Sequence, residues 1–91
     1  MNVTAEIMLK TVMMKDLSSQ QQVVYLLLNC YADVNGITTI NNETIADYTG
    51  LSESIINDAV DTLESRGLIT HGLQFDKNAL GGLIGMIEII K

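Results

Sequence analysis

The sequence predicts a mainly helical α+β domain, three helices with a small antiparallel sheet and a C-terminal β-hairpin, and three observations carry that expectation. Ile55, Ile56, Ala59, Val60 and Leu63 recur at spacings of three and four, the period of one buried helix face. Tyr48-Thr49-Gly50-Leu51-Ser52 reads as a tight turn joining two short amphipathic helices. Beyond Gly67, two strand-like arms, Leu68 to Phe75 and Leu83 to Ile90, flank a glycine-containing tip at 76–82.

Composition sets the bounds. The 91 residues predict one domain (1–91) with no room for a second core. With 47% hydrophobic residues, a packed interior needs no covalent staples. A single cysteine, Cys30, excludes an intramolecular disulfide and favours a reducing cytoplasm. The N-terminus lacks the basic start and long apolar run of a signal peptide, and no stretch nears the roughly 18 apolar residues of a membrane span. A soluble cytoplasmic protein is expected. The formal net charge is −6, and the cations Lys10, Lys15, Arg66, Lys77 and Lys91 are scattered. Domains that neutralise phosphates usually carry the opposite sign.

Taken in order, Val3, Ala5, Ile7 and Leu9 alternate with Thr4, Glu6, Met8 and Lys10. That period of two fits a half-buried strand, and a frayed helix through Met14 fits almost as well. Ser18 starts the first long helix, with Ser18/Gln21 and Ser19/Gln22 both able to form a capping box. Val23, Val24, Leu26, Leu27, Leu28 and Tyr31 make it apolar on more than one face, as befits a central helix. Asp33-Val34-Asn35-Gly36 stops it, and the β-branched run Ile37 to Ile40 reads as a short strand. Asn41 or Asn42 caps the next helix, which turns Ile45, Ala46 and Tyr48 inward and ends at Gly50. Ser52 caps the third helix, with Glu53 in its first turn, and Gly67 supplies the left-handed stop. The last arm, LIGMIEII, is apolar on both faces apart from Gly85 and Glu88. It is either sandwiched within the monomer or part of a homodimer interface at Leu83, Ile87 and Ile89.

Several of these residues form a recognisable series. A Leu17-Ser18 helix start leads to a Leu-rich helix ending in Tyr31-Ala32-Asp33, followed by the short strand. Then come Asn42-Glu43-Thr44-Ile45-Ala46, Gly50-Leu51-Ser52, and a helix closing on Leu63-Glu64-Ser65-Arg66-Gly67-Leu68-Ile69. Over Lys10 to about Gly72 the chain resembles the N-terminal winged-helix domains of phage and plasmid replication initiator proteins. The resemblance implies a winged helix-turn-helix. The helix-turn-helix would span about 42–66, the hairpin at about 68–90 would be the wing, and the short strand would pair with it. It also implies a non-enzymatic role in replication or transcription, with the third helix and the wing meeting DNA.

Subtracting the buried stripe leaves Glu53, Ser54, Asn57, Asp58 and Asp61 on the outer face of the third helix. The candidate DNA contacts are Ser52, Ser54 and Asn57, whose side chains hydrogen-bond to phosphates or base edges, with Lys77 and Asn78 at the wing tip. The carboxylates Glu53, Asp58 and Asp61 depart from the basic or neutral face usual in DNA-binding members. They fit an alternative, an acidic module that docks a basic surface of a host or replisome protein as an inhibitor or DNA mimic.

Nothing else in the chain points to chemistry. His71 has no second histidine to complete a metal site, and Asp58 with Asp61 brings too few oxygen ligands. Cys30 has no basic neighbour in sequence and reads as a packed thiol. The serines lack a base partner, and Gly81-Gly82 is a hairpin turn without a phosphate-binding context. Met8, Met13 and Met14 read as core filler in preference to an adaptable interaction surface. Neither cofactor, metal nor enzymatic activity is expected.

Overall fold

The computed structural model describes residues 5–12, 14 and 16–90. Val3, Thr4, Met13, Lys15 and Lys91 lie outside the described residues, as do the side chains of Met8 and Lys10.

Among the described residues the N-terminal segment is a helix rather than a strand, α1 (Ala5–Val12), packed against the next helix. It adds to the three expected helices. The first of those, α2 (Ser19–Tyr31), opens with the Ser18/Gln21 capping box. The Gln21 N–H donates to Ser18 Oγ (3.1 Å) and the Ser18 N–H to Gln21 Oε1 (2.9 Å). Gln22 is left to donate its amide to the Met14 carbonyl at 3.1 Å, which ties α2 to the chain before it. Val24, Tyr25 and Leu28 are buried along α2, and Asn29 beside them donates to the Tyr25 carbonyl at 2.9 Å.

The turn after α2 is organised by Asp33, whose Oδ1 accepts from the Asn35 and Ile37 N–H groups at 2.8 and 3.0 Å. Gly36 carries the positive φ there. Strand β1 is Ile37–Thr38, two residues and not four. The hydroxyl of Thr38 accepts from the Ile40 N–H (3.1 Å) and bends the chain out of the ladder.

Helix α3 (Asn42–Thr49) is capped by Asn41, whose Oδ1 accepts from the Thr44 N–H at 2.8 Å. It closes on Gly50 with φ 72°. Ile45 is buried as expected, but Tyr48 is exposed rather than turned inward. An eight-residue helix buries little more than one row of side chains, and Tyr48 lies against Tyr31 at the surface, ring centroids 5.8 Å apart. Leu51 sits half-buried against the core between α3 and the next helix.

Helix α4 (Glu53–Ser65) buries Ile56, Ala59, Val60 and Leu63, with Ile55 half-buried at the margin of the stripe. Its cap is Ser52, whose Oγ accepts from the Ile55 N–H at 3.2 Å. Ser52→Ala should therefore lower stability by about 1 kcal/mol, read as a shift in the urea midpoint. At the other end the Leu68 N–H donates to the Leu63 carbonyl and the Gly67 N–H to the Glu64 carbonyl, at 3.0 and 2.9 Å. This is a Schellman stop, and it requires the left-handed conformation that Gly67 adopts.

Strands β2 (Ile69–Phe75) and β3 (Leu83–Ile89) form the wing, and the antiparallel sheet runs β1-β3-β2. Ile69 faces Ile89 and Phe75 faces Leu83, while Thr38 of β1 faces Ile87. The apolar arm β3 is thus the central strand. Ile87 and Ile89, each 7% exposed, join the chain's own core with Ile69, Leu28 and Ile56. Of the three residues expected at a homodimer interface, only Leu83 stands out at the surface.

Candidate nucleic-acid interface

The Schellman stop and the N-cap together fix how α4 is presented. Its buried stripe packs on α2, α3 and β2, so the opposite face looks outward from the helix-turn-helix. Glu53, Ser54, Asn57, Asp58 and Asp61 are all exposed on it. Glu53, Asn57 and Asp61 form one row at intervals of four, and Ser54 and Asp58 form the adjacent one.

Each candidate contact has a definite local state. Ser52 uses its oxygen for the cap, which leaves the hydroxyl proton to offer a phosphate. Ser54 is exposed in the first turn. Asn57 is bound across the motif: its Oδ1 accepts from Asn42 Nδ2 at the start of α3. That bond fixes the Asn57 amide and directs its donor end away from Asn42. In the sequence Asn42 reads only as a possible cap. Once Asn41 takes that role, Asn42 is left in the first turn of α3, where it locks the two helices together.

Lys77 and Asn78 are exposed at the wing tip. There Asp76 Oδ1 accepts from the Asn78 N–H at 2.9 Å, the Asp76 N–H donates to the Gly82 carbonyl at 2.9 Å, and Gly81 turns with φ 82°. The tip is an ordered loop, but seven residues of strand, roughly 20 Å, separate it from the end of α4. The fold thus places Ser52, Ser54 and Asn57 on the first turns of α4 and Lys77 and Asn78 on a separate element, the tip of the wing.

The electrostatics run against phosphate. Arg66, which follows α4, is paired with Asp16 and supplies no uncompensated charge to the outer face. Glu64 is held by His71 of β2: the ring Nδ1 and the backbone N–H lie 2.8 and 3.2 Å from Glu64 Oε2. The His71 side-chain hydrogen bond is the main reason that the Glu64 carboxyl is pulled below the ordinary carboxylate range. The pair bridges the Schellman turn across seven residues and straps the wing to α4. The one histidine of the chain thus joins the wing to α4 through Glu64. Among the described residues, no group of three or more His, Cys, Asp or Glu side chains is arranged to hold a metal ion.

An apolar groove of about 580 Å³ lies elsewhere, between α2 and α3, lined by Val23, Leu26, Leu27, Cys30, Tyr48 and Leu51. Tyr48, at its edge, packs against the ring of Tyr31, and the neighbouring Tyr48 hydroxyl is the main reason that the Tyr31 phenol pKa is raised. No helix among the described residues is long and apolar enough to cross a membrane.

Neither a curated protein nor a solved structure matches this chain. A family model described as a helix-turn-helix domain matches residues 15–69, more than half of the sequence, from just before the α2 cap to the first residue of β2. With its capped turn, its outward α4 and its wing, the chain belongs to the helix-turn-helix domain family.

Proposed function

We propose that this protein is a small, non-enzymatic winged-helix regulator of phage or mobile-element type, acting in transcription or replication in the cytoplasm. Membership of a helix-turn-helix family suggests a DNA-binding regulatory protein. The observation that carries the reading to particular residues is the presentation of α4. A serine cap, a positive-φ turn at Gly50 and the Asn42–Asn57 bond hold its first turns outward. That is the geometry in which a recognition helix enters the major groove with its N-terminal residues toward the bases. Ser54 and Asn57 are the base-facing candidates, Ser52 donates to a phosphate, and Lys77 and Asn78 touch the backbone from the wing.

Among the regulatory roles we favour replication, on the motifs by which the sequence resembles replication initiators, the Leu17-Ser18 helix start and the Gly50-Leu51-Ser52 turn. With so few cations near the face, binding is weak per subunit and strongly dependent on salt. Fluorescence anisotropy with a labelled random-sequence duplex at two salt concentrations tests this. Binding at low salt that falls away as salt rises is the expected result. No binding at low salt, followed by failure to enrich any sequence from a random pool, would sink it.

A second reading has its own observation. Glu53, Asp58 and Asp61 are exposed on α4, and Arg66 is committed to Asp16. On that reading the same face docks a basic surface of a host or replisome protein, and DNA is not the ligand.

A further inference from the structure

We infer that β2 is a pairing edge for a second copy of this chain, joined to it antiparallel about Gln74. The inference is independent of whether α4 meets DNA. In the order β1-β3-β2, one side of β2 has no neighbouring strand among the described residues. The His71 N–H points to that open side, since it donates to Glu64 Oε2. Leu73 and Phe75 share the phase of His71 in the pleat, so their N–H and C=O groups also face outward.

Edges of this kind are normally blunted by lysine, proline or a bulge. Ile69–Phe75 reads ITHGLQF, with no lysine, arginine, carboxylate or proline, and its register with β3 runs unbroken from Ile69↔Ile89 to Phe75↔Leu83. On the same strand Leu73 and Phe75 are 68% and 73% exposed, and Leu83, opposite Phe75, is 54% exposed. One face of the distal wing is therefore an apolar strip running on from the buried Ile69, Ile87 and Ile89.

The occupant follows from symmetry, charge and area. A twofold axis at Gln74 pairs Leu73 with Phe75 of the second copy, and the reverse, with a pair of ladder hydrogen bonds at each. Glu64 already holds the His71 N–H, which limits the pairing to that stretch. A chain of net charge −6 repels its own kind elsewhere, but β2 carries no formal charge with its histidine neutral. The three side chains expose on the order of 400 Å² per copy, a substantial patch for a monomer yet at the low end for a specific interface. The dimer is accordingly reversible.

Sedimentation equilibrium from about 10 µM to about 1 mM should show the mass rising from monomer to dimer, and Leu73→Lys should hold it at monomer with an unchanged far-UV circular dichroism spectrum. In a Cys30→Ser background, Gln74→Cys should form a covalent dimer on mild oxidation, because residues facing across such a pair bring their Cβ atoms within disulfide range. Val34→Cys, 88% exposed in the turn before β1 at the other side of the sheet, should not. A wild-type monomer throughout the range, or cross-linking no faster at position 74 than at 34, overturns the assignment. If Leu73→Lys fails to fold, the cross-linking comparison decides alone.

Discussion

Reversing the two aspartates on the outer face of α4, Asp58→Lys with Asp61→Lys, should raise affinity for duplex DNA roughly tenfold or more at low salt. Each substitution changes the formal charge by two, which takes the chain from −6 to −2. Both positions are exposed on the face that α4 turns outward, so the new ammonium groups meet the phosphates without disturbing the core. The helix tolerates them. The Thr62 hydroxyl bonds to the backbone carbonyl at position 58, not to the carboxylate, and lysine is a good helix former at exposed positions.

Salt supplies the control. Two added phosphate contacts should steepen the dependence of log K on log salt by about two. The gain over wild type then shrinks roughly tenfold between about 50 and about 200 mM salt. Under the protein-docking reading the same variant loses its basic partner and gains nothing specific on DNA. Anisotropy on both proteins at both salt concentrations separates these results. Unchanged behaviour toward DNA and toward a basic partner would remove the outer face of α4 from either mechanism.

The parts of this interface that were legible in sequence are those set by near neighbours. Ser18 with Gln21, Asn41 with Thr44, and Ser52 with Ile55 all act within three residues. Gly50 and Gly67 mark turns whose conformation the local backbone alone demands. The stripe from Ile56 to Leu63 depends only on helical period. What could not be read depends on which element lies beside which. Tyr48 occupies a position that would be inward on a longer helix, yet it meets Tyr31 at the surface. Asn57 reaches back fifteen residues to Asn42, and Glu64 reaches forward seven to His71. Neither pairing has a local signature. The unusual composition of LIGMIEII was visible, but its cause was not, because strand order is a property of the sheet and not of the strand.

That central position makes Ile89→Asp a severely damaging single change. Ile89 is paired with the fully buried Ile69, and its N–H bonds to the Gly36 carbonyl at 2.7 Å. Removing the side chain from the core forfeits about 1.5–3 kcal/mol of burial. The short carboxylate cannot reach water as a lysine would, and the cost of leaving it unpaired in the interior adds a few kcal/mol even if it protonates. A domain of this size has roughly 5–15 kcal/mol in total. The expected result is a loss of about 4 kcal/mol or more, a fall in Tm of roughly 20 °C or outright loss of the cooperative transition. Leu83→Asp on the same strand should keep its melt close to wild type, since Leu83 is already half in solvent. Thermal denaturation followed by circular dichroism distinguishes the two positions. If Ile89→Asp instead yielded folded, soluble monomers, Ile89 would belong to an interface between chains, and the burial that places β3 at the centre of this core would be wrong.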